Sequence, residues 1–421
     1  MGGVFDGAAM KAVVFTLGCK VNACESEVLI KGLIDKGYIV GDKLEYADLY
    51  IINTCAVTNE AERKSRQTIA RVKKFNPAAK IIVTGCASEK APKDFLAREG
   101  VTLVTGAKRK EKILDMLGDS GVKVFDEDEV LNETIFPENV KTRAFIKVQD
   151  GCDNFCSYCI IPYLRGRSRS RSVDGIISEL KTVTAKEVVL TAINLSDYNY
   201  NGVDLSGLIK AIAAENFAFR VRLGSVEEGV IKRDFLDSLK ALKNFAPHFH
   251  LSLQSGSDSV LKAMNRHYTT AEFLEGVNLI REYYPDAGVT TDIICGFPTE
   301  TDEDFESTLK FADLCKFSDI HVFNYSPRQG TVAANLKGLS DCVKKARVQK
   351  LLDLKSRLKS EFIKNNVGKT KTVVFEDFDG EYTGGYTDNY IRAYIKGDFS
   401  GEEKAVTLAS PYLDGALCKP V

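Results

Sequence analysis

Residues 144–159 read AFIKVQDGCDNFCSYC, an apolar run followed at once by three closely spaced cysteines. The run Ala144–Val148 predicts a β-strand, and Cys152, Cys156 and Cys159 follow it with the spacing C-x3-C-x2-C. Thiolates this close in a tight loop can bind three corners of an iron–sulfur cube and leave one iron open. The alternative, a structural zinc site, needs four ligands, and this loop contains no fourth Cys or His.

The alternation of strand and helix continues after this loop. Each of five further apolar runs is followed by a helical pattern, and they predict strands at Glu187–Ala192, Phe219–Leu223, His248–Gln254, Val289–Cys295 and Ile320–Tyr325. Six such units in succession are typical of a closed or partly closed α/β barrel. We therefore expect a barrel domain over residues 142–368, ending in a long charged helix at Asp341–Asn365.

The region before the barrel predicts a separate, smaller domain. Within residues 11–115, apolar runs alternate with amphipathic helical patterns at Ala12–Leu17, Ala47–Ile52 and Lys80–Thr84. This alternation is typical of a small parallel α/β sheet. Residues 1–10 are interpreted as an extension, with Met10 as an alternative start, and the acidic residues 116–141 as a linker.

The last region, residues 369–421, has a different pattern. Its short strand-like runs are separated by glycines and lie at Thr372–Glu376, Tyr386–Tyr394 and Glu403–Leu408. Short strands joined by glycine turns predict a small, OB-like antiparallel β-barrel. The whole chain is therefore predicted to be an α/β protein of several domains.

Composition and charge narrow the class of protein. Lys plus Arg number 57 and Asp plus Glu 58, so any basic surface for nucleic acid must be local. No apolar run approaches the roughly 18 residues of a membrane span, and the N-terminus does not have the pattern of a signal peptide. We expect a cytoplasmic protein without a membrane partner. In that reducing compartment, the eleven cysteines favour metal or redox chemistry over disulfides.

A second set of cysteines follows the strands of the first domain. Cys19, Cys55 and Cys86 directly end the runs VVFTLGC, LYIINTC and IIVTGC. Parallel strands end at one edge of a sheet, about 4.8 Å apart, so three thiols at these ends can converge. The alternative is three separately buried cysteines. Equivalent positions on three strands favour a second three-thiolate cluster.

These motifs resemble those of the radical SAM methylthiotransferase family. LGCKVN at residues 17–22, NTCAVT at 53–58 and TGC at 84–86 are similar to its N-terminal domain. GCDNFCSYC at 151–159, with IIPYLRGR at 160–167, is similar to its radical SAM domain. The tail resembles the TRAM module, an RNA-binding barrel, so the resemblance covers nearly the whole chain.

The resemblance implies an enzyme with two 4Fe–4S clusters that uses S-adenosylmethionine (SAM) both as radical source and as methyl donor. CKVN at 19–22 and RGRSRSR at 165–171 resemble the branch that methylthiolates C2 of N6-threonylcarbamoyladenosine at position 37, in the anticodon loop of tRNA. It also implies a one-electron donor such as flavodoxin. The alternatives are isopentenyladenosine in tRNA, a ribosomal protein aspartate, and, in another class, a non-catalytic zinc RNA-binding protein.

Polar residues at the barrel strand ends are predicted cofactor contacts, since active sites of such barrels form there. The resemblance implies SAM contacts at Tyr158, Asn194, Ser225, Gln254, Arg266, Asp292 and Gly296, and Ser252 and Asn324 are further polar candidates. Each alone is equally compatible with a buried polar group, a core tyrosine or a turn glycine.

Two further patterns predict contacts with RNA. The arginines of RGRSRSR could bind phosphates or form a solvated face. In the tail, aromatic and basic residues could stack on bases or fill a small core: Phe375, Tyr382, Tyr386, Tyr390, Arg392 and Lys396. The four histidines are interpreted as strand or surface residues, because no two of them have helical metal-ligand spacing.

Overall fold

The predicted α/β architecture is confirmed in the computed structural model, which describes residues 9–125 and 142–421. The chain divides into two units: residues 9–125 with 159–167, and residues 142–158 with 168–421. The expected extension at 1–10 and the linker at 116–141 lie largely outside the described residues.

The first unit is a six-stranded parallel sheet with helices on both faces. Its strands are β1 (Lys11–Thr16), β2 (Ile39–Gly41), β3 (Leu49–Thr54), β4 (Lys80–Gly85), β5 (Val101–Thr105) and β6 (Gly121–Lys123). Its helices are α1 (Lys20–Asp35), α2 (Asn59–Phe75), α3 (Cys86–Lys90), α4 (Pro92–Leu96) and α5 (Ile161–Arg165). The strand order is β2-β1-β3-β4-β5-β6, so β6 adds residues of the predicted linker to the sheet.

The central strands of the sheet are apolar on both faces, as is typical of parallel sheets whose crossover helices cover both sides. Alternate residues such as Val14 and Ile51 pack on Leu29 of α1, whereas Ile52 and its same-face neighbours pack on Ile69 of α2. Strands buried on both sides read as continuous apolar runs, which is how the sequence identified β1, β3 and β4. The short strands β2, β5 and β6 lie outside the predicted runs.

The second unit begins with six parallel barrel strands in chain order. They are β7 (Arg143–Lys147), β10 (Glu187–Thr191), β13 (Arg220–Leu223) continued by β14 (Ser225–Val226), β15 (His248–Gln254), β16 (Gly288–Cys295) and β17 (Asp319–Asn324). Two short pairs accompany them: β8 (Gln149–Asp150) with β9 (Arg169–Ser170), and β11 (Asn199–Tyr200) with β12 (Val203–Asp204). The barrel strands form two sheets, β7-β10-β13 and β14-β15-β16-β17, as expected of a partial barrel.

Helices connect the barrel strands and cover their outer face. They are α6 (Val173–Leu180), α7 (Leu205–Ala214), α8 (Arg233–Ala241), α9 (Asp258–Ala263), α10 (Thr270–Tyr283), α11 (Asp302–Cys315) and α12 (Asp341–Asn366). Thr269 and Glu272 form a capping box at α10, as Thr301 and Asp304 do at α11, which fixes where these helices begin. Over residues 9–125 and 142–421, no helix has the length and apolar character needed to cross a membrane.

The tail is a closed barrel of five strands. They are β18 (Thr370–Phe378), β19 (Tyr382–Thr387), β20 (Arg392–Lys396), β21 (Glu403–Tyr412) and β22 (Gly415–Pro420), in the order β18-β19-β20-β22-β21. The single strand predicted at 386–394 is wrong. The chain turns between β19 and β20, where Tyr390 has a φ of 72° and Ile391 N donates to Thr387 Oγ1 at 2.8 Å.

A buried ion-pair network joins the tail to the α/β barrel within the second unit. Glu187 of β10 is fully buried and accepts from Arg220 Nε at 2.6 Å and from Arg222 Nη2 at 2.8 Å. The same arginines donate to backbone oxygens of the tail, for example Arg220 to Thr372 and Arg222 to Thr387, each at 3.0 Å. Burial opposes ionisation of Glu187, but Arg222 and Arg220 outweigh it and hold its pKa well below its usual range.

Candidate functional site

Cys19, Cys55 and Cys86 lie at the carboxyl ends of three neighbouring strands. Cys86 directly follows β4, Cys55 directly follows β3, and Cys19 lies between β1 and α1. These strands are adjacent in the sheet and paired in parallel. Cys55 and Cys86 are buried and Cys19 is exposed. All eleven cysteines of the chain fall in the described ranges, and no disulfide joins any two of them.

Two glycines allow the strand ends to approach one another. A Cβ built on Gly18 would lie 2.7 Å from Cys55 Cβ and 2.8 Å from its Sγ, so the residue before Cys19 touches Cys55. Gly85 has a φ of 104°, and its Cβ would lie 2.4 Å from the carbonyl oxygen of Thr54. Only glycine fits such positions without displacement of the neighbouring backbone.

Two asparagines connect the same strand ends. The amide nitrogen of Asn22 donates to the carbonyl oxygens of Leu17 at 2.8 Å and Thr54 at 3.0 Å. Asn53 in turn donates to the carbonyl oxygen of Asn22 at 2.9 Å. The buried backbone groups around the cysteines are therefore satisfied, and the positions of Cys19 and Cys55 are fixed.

The two buried thiols, Cys55 and Cys86, occupy a desolvated environment near cationic side chains. Burial raises the pKa of Cys55 to about 11, and the neighbouring Cys86 and Cys19 add to the increase. Burial also raises the pKa of Cys86, against the opposing effect of Arg165 and Lys110. Neutral thiols must lose their protons to bind metal, and the bound ion supplies the free energy for that loss.

The three thiols are one ligand short of a structural zinc site, which takes four. Across residues 9–125 and 142–421, only His250, Asp292 and His321 bring three Cys, His, Asp or Glu ligand atoms within 4.8 Å of one another. Three thiolates match the ligand set of an iron–sulfur cube that leaves one iron open.

The C-x3-C-x2-C loop follows β8 in the second unit. Gly151 has a φ of 74° and Phe155 a φ of 45°, so the backbone bends sharply on both sides of Cys152. Gln149 Nε2 donates to the carbonyl oxygen of Gly151 at 2.7 Å, and its Oε1 accepts from Asn194 N at 3.0 Å. Burial raises the pKa of Cys152 to about 11. Cys159 begins the 159–167 segment, which belongs to the first unit.

Residues 263–266 contact this cysteine loop, mainly through hydrogen bonds. Ser157 donates from its backbone to the oxygen of Met264 at 2.9 Å and from Oγ to that of Ala263 at 2.8 Å. Asn265 Nδ2 donates to the carbonyl oxygens of Asn154 at 3.1 Å and Phe155 at 3.2 Å. These bonds fix the loop that carries Cys152 and Cys156.

Arg266, which was predicted as a SAM contact, lies beside a cysteine of this loop. Its Nη1 donates to Cys156 Sγ at 3.3 Å, and its Nη2 lies 2.6 Å from Glu227 Oε1. Glu227 Oε1 also accepts from Asn154 Nδ2 at 2.9 Å. Arg266, Glu227 and Asn154 together line a cavity of about 250 Å³ next to Cys156.

Asn194 offers a buried amide at the end of β10. Its Oδ1 accepts from Ser196 N at 3.2 Å, while its buried Nδ2 has no hydrogen-bond partner among the described residues. Buried polar atoms are nearly always paired, so such a donor points to a ligand or water. The Asn194 side chain also lies close to Asp197: burial and Glu227 raise the pKa of that carboxyl to about 6, and Asn194 opposes the increase.

The other predicted SAM contacts lie in different surroundings. Tyr158 packs partly buried against an apolar cluster with Met264 and Phe297. Ser225 is exposed at the start of β14, and Gln254 is buried at the end of β15 with a φ of 67°. Gly296 has a φ of 76°, and a Cβ there would lie 2.5 Å from Lys344 Cγ, so glycine is required even without a cofactor.

Asp292 forms a cross-strand group with two histidines that the sequence analysis did not associate. Its Oδ1 lies 3.2 Å from His250 Nε2 on β15 and 3.1 Å from His321 Nδ1 on β17. Burial opposes ionisation of Asp292, but these contacts dominate and lower its pKa. No local pattern reveals such a group, because its members come from three strands and meet only through register.

The residues of the two segments predicted to bind RNA are partly buried. Arg165 and Arg171 are buried and ion-paired, whereas Arg167 is exposed, so RGRSRSR is not one exposed basic face. Phe375 lies in the core of the tail barrel, and Tyr390 stacks on His248 at 4.3 Å. Three half-buried aromatic residues of the tail, Tyr382, Tyr394 and Tyr412, form a cluster at the surface.

Two family models match the chain. Residues 146–312 match the radical SAM superfamily, and residues 11–106 match a family described as uncharacterized protein family UPF0004. Among solved structures, the radical S-adenosylmethionine methyltransferase TsrM of Kitasatospora setae is similar with a TM-score of 0.56 and 14% identity, covering 76% of this chain and 77% of that one. At this identity the likeness shows the fold alone.

Curated relatives match over most of their length. The threonylcarbamoyladenosine tRNA methylthiotransferase MtaB of Aquifex aeolicus is 38% identical, over 87% of this chain and 93% of the relative. That of Bacillus subtilis is 36% identical, over 87% and 85%. The tRNA-2-methylthio-N(6)-dimethylallyladenosine synthase of Endomicrobium trichonymphae is 34% identical, over 87% and 89%.

Proposed function

Because the chain belongs to the family of radical SAM tRNA methylthiotransferases, we propose that it methylthiolates C2 of N6-threonylcarbamoyladenosine at position 37 of tRNA. It is a transferase whose cofactors are SAM and 4Fe–4S clusters. The proposal assigns one cluster to Cys152, Cys156 and Cys159 and a second to Cys19, Cys55 and Cys86.

The observation that carries this assignment is the position of Cys19, Cys55 and Cys86 at three adjacent parallel strand ends. A radical SAM barrel alone needs only one set of three cysteines. A second set of three cysteines in a separate domain, where a structural zinc site would take four ligands, supports a second cluster and with it the transfer of sulfur.

The target atom explains why this chemistry needs radicals. The C2–H of adenine is neither acidic nor electrophilic, so a general base or a nucleophile has no means of activating it. When bound, the clusters supply one-electron reduction of SAM and a site for sulfur, with SAM as both radical source and methyl donor. The electron comes from an outside donor such as flavodoxin.

The protein's part is to bind and orient the cofactors and to exclude water from them. The side chains of Asn265 and Ser157 fix the cysteine loop by donating hydrogen bonds to backbone oxygens. Arg266 holds a positive charge beside Cys156 and is itself oriented by Glu227. The buried side-chain amide of Asn194 is proposed to donate to SAM. Tyr158, Ser225, Gln254, Asp292 and Gly296 are proposed as further SAM contacts.

The tail barrel is proposed to bind the tRNA. Tyr382, Tyr394 and Tyr412 form a half-buried aromatic surface, and Lys396 beside them is exposed. Aromatic rings with adjacent cations are typical of surfaces that bind unstacked bases. The tRNA substrate places the enzyme in the cytoplasm.

The test is nucleoside mass spectrometry of tRNA from cells with and without the gene. We expect threonylcarbamoyladenosine to gain the mass of a methylthio group only when the protein is present. Anaerobically reconstituted protein should contain about eight irons per chain, as two four-iron clusters require. Zinc with negligible iron would refute the cluster assignment.

A second substrate is favoured by one observation. The dimethylallyladenosine synthase of Endomicrobium trichonymphae is 34% identical to this chain, close to the 36% of the Bacillus subtilis relative. If the methylthio group appears on isopentenyladenosine instead, the family holds and the proposed substrate is wrong.

A further inference from the structure

His250, Asp292 and His321 lie on three neighbouring strands of the α/β barrel. They belong to β15, β16 and β17, which pair in parallel. Asp292 lies directly opposite His321 in this register, and His250 lies opposite Thr290, two residues before Asp292. The pairing of the strands therefore brings two imidazoles and a carboxylate together.

These three side chains lie on the inner face of the barrel strands. Successive side chains of a strand point to opposite faces, and the adjacent residues Phe249, Ile293 and Ile320 pack in the apolar core that the outer helices share. Bulky branched apolar residues usually fill the interior of such barrels. Two histidines and an aspartate on neighbouring strands of this interior are therefore not explained by packing.

The distances within this group fit one small ion. Asp292 Oδ1 lies 3.2 Å from His250 Nε2 and 3.1 Å from His321 Nδ1. All three ligand atoms lie within 4.8 Å of one another. Two ligands about 2.1 Å from the same ion are about 3.0 Å apart in octahedral and about 3.4 Å apart in tetrahedral geometry. Both contacts of Asp292 fall between these values.

The ring of His250 is oriented from its other side. Thr290 Oγ1 lies 2.9 Å from His250 Nδ1, the ring nitrogen that does not face Asp292. The same hydroxyl lies 2.9 Å from His248 Nε2, so Thr290 is itself held in place. Histidines that bind metals almost always form a hydrogen bond through their second ring nitrogen, which fixes the ring and its tautomer. Thr290 supplies that contact here.

The group is closed on one side and open on the other. His250 is buried, whereas the side chain of His321 is 53% exposed. His321 also lines a cavity of about 200 Å³ together with Tyr386 and Arg392 of the tail. An ion can therefore reach the three ligands from solvent through this cavity.

We propose that His250, Asp292 and His321 bind one divalent transition-metal ion, and that Zn²⁺ fits the site. Imidazole nitrogens and a carboxylate oxygen are zinc ligands, and a zinc ion with three protein ligands keeps its fourth position for water or another small ligand. The site uses none of the cysteines, so it goes beyond the proposed function and does not depend on it. It takes Oδ1 of Asp292 and leaves the other carboxylate oxygen for the SAM contact proposed above.

The alternative occupants of the site are protons. Two imidazole N–H groups that donate to the same Oδ1 would give similar distances without any ion. The test therefore counts zinc. Full-length protein with its iron–sulfur clusters reconstituted is dialysed anaerobically against Zn²⁺, and zinc and iron per chain are measured by mass spectrometry. Competition with a chelator gives the affinity.

Three variants and one control are measured in the same way. His321→Ala and Asp292→Asn each remove one ligand, and Thr290→Val removes the hydroxyl beside His250 but keeps the shape of the side chain. His267→Ala is the matched control, because His267 is an exposed histidine outside the group. Circular dichroism confirms that each variant is folded. If Asp292→Asn does not fold, His321→Ala decides the matter, since its side chain is exposed.

We expect one zinc per chain in addition to the iron of the clusters. Loss of a partner that orients a ligand usually weakens metal binding about tenfold to hundredfold, which is the effect expected of Thr290→Val. His321→Ala and Asp292→Asn should weaken it by more than about hundredfold, because a ligand itself is lost. His267→Ala should leave the affinity unchanged. In crystals, an anomalous signal at the zinc absorption edge should lie about 2.0–2.2 Å from the three ligand atoms.

Equal zinc content and affinity in the original protein, His321→Ala and Asp292→Asn would overturn the inference. Absence of zinc from the original protein would also overturn it and would leave a hydrogen-bonded group. If the clusters do not assemble, the proposed function fails instead. Zinc bound by the cysteines is then common to all variants, and the difference between the original protein and His321→Ala still counts the ion at this site.

Discussion

The absence of a side chain at Gly85 is required both by the fold of the first unit and by the second set of cysteines. We predict that Gly85→Ala destabilises the first unit and prevents cluster assembly. The residue directly precedes Cys86, and its backbone (φ 104°, ψ −170°) lies in a region that essentially only glycine adopts. The added methyl group would lie 2.4 Å from the oxygen of Thr54 and 2.6 Å from Asn53 Oδ1.

The expected loss in the free energy of unfolding has two parts. A strained backbone conformation costs about 1–3 kcal/mol. Overpacking against atoms that cannot move freely adds about 1–3 kcal/mol. Because Thr54 belongs to the neighbouring strand β3 and directly precedes Cys55, relief of the contact must separate the two strand ends. We therefore expect a loss of about 2–6 kcal/mol in the free energy of unfolding, together with reduced iron uptake.

Gly37→Ala is the matched control. Gly37 also has a positive φ, 86°, but a Cβ there would meet nothing within 4 Å. It should cost about 1–2 kcal/mol from the backbone alone and leave iron uptake intact. Guanidinium unfolding followed by circular dichroism gives the stabilities, and iron analysis after reconstitution gives the uptake. If Gly85→Ala is no more destabilising than Gly37→Ala and binds iron normally, the close approach of the strand ends is not a requirement of the site.

Three further outcomes test other parts of the molecule. Glu187→Gln should cost about 3–5 kcal/mol at pH 7, because Arg220 and Arg222 lose their buried partner. The folded-state pKa of Glu187 is lowered, so its contribution to the free energy of unfolding is present above about pH 4.3 and is lost on acidification. The unfolding curves of the original protein and of Glu187→Gln should therefore converge as the pH falls. Asn194→Ala should weaken SAM binding about threefold to tenfold in calorimetry with unchanged iron content, and an unchanged affinity would remove Asn194 from the site. Tyr412→Ala should weaken tRNA binding by about 1–3 kcal/mol in filter binding, and equal affinities would show that the aromatic surface of the tail does not stack on bases.

The sequence by itself determined the features that depend on local order along the chain. Continuous apolar runs identified β1, β3 and β4, and the spacing of Cys152, Cys156 and Cys159 identified the loop after the first barrel strands. It also predicted that Cys19, Cys55 and Cys86 lie at one edge, because parallel strands that follow one another must end on the same side of a sheet.

Tertiary structure alone decided which side chains surround those cysteines. Arg165 and Glu25 are 140 positions apart, and Arg266 reaches Cys156 across 110 positions, so neither contact follows from spacing along the chain. The sequence placed Arg165 in a run open to phosphate, whereas packing buried it beside Cys86. The physical reason is that periodicity fixes which face of a strand or helix is apolar, while charge pairing depends on register and on the packing of distant segments.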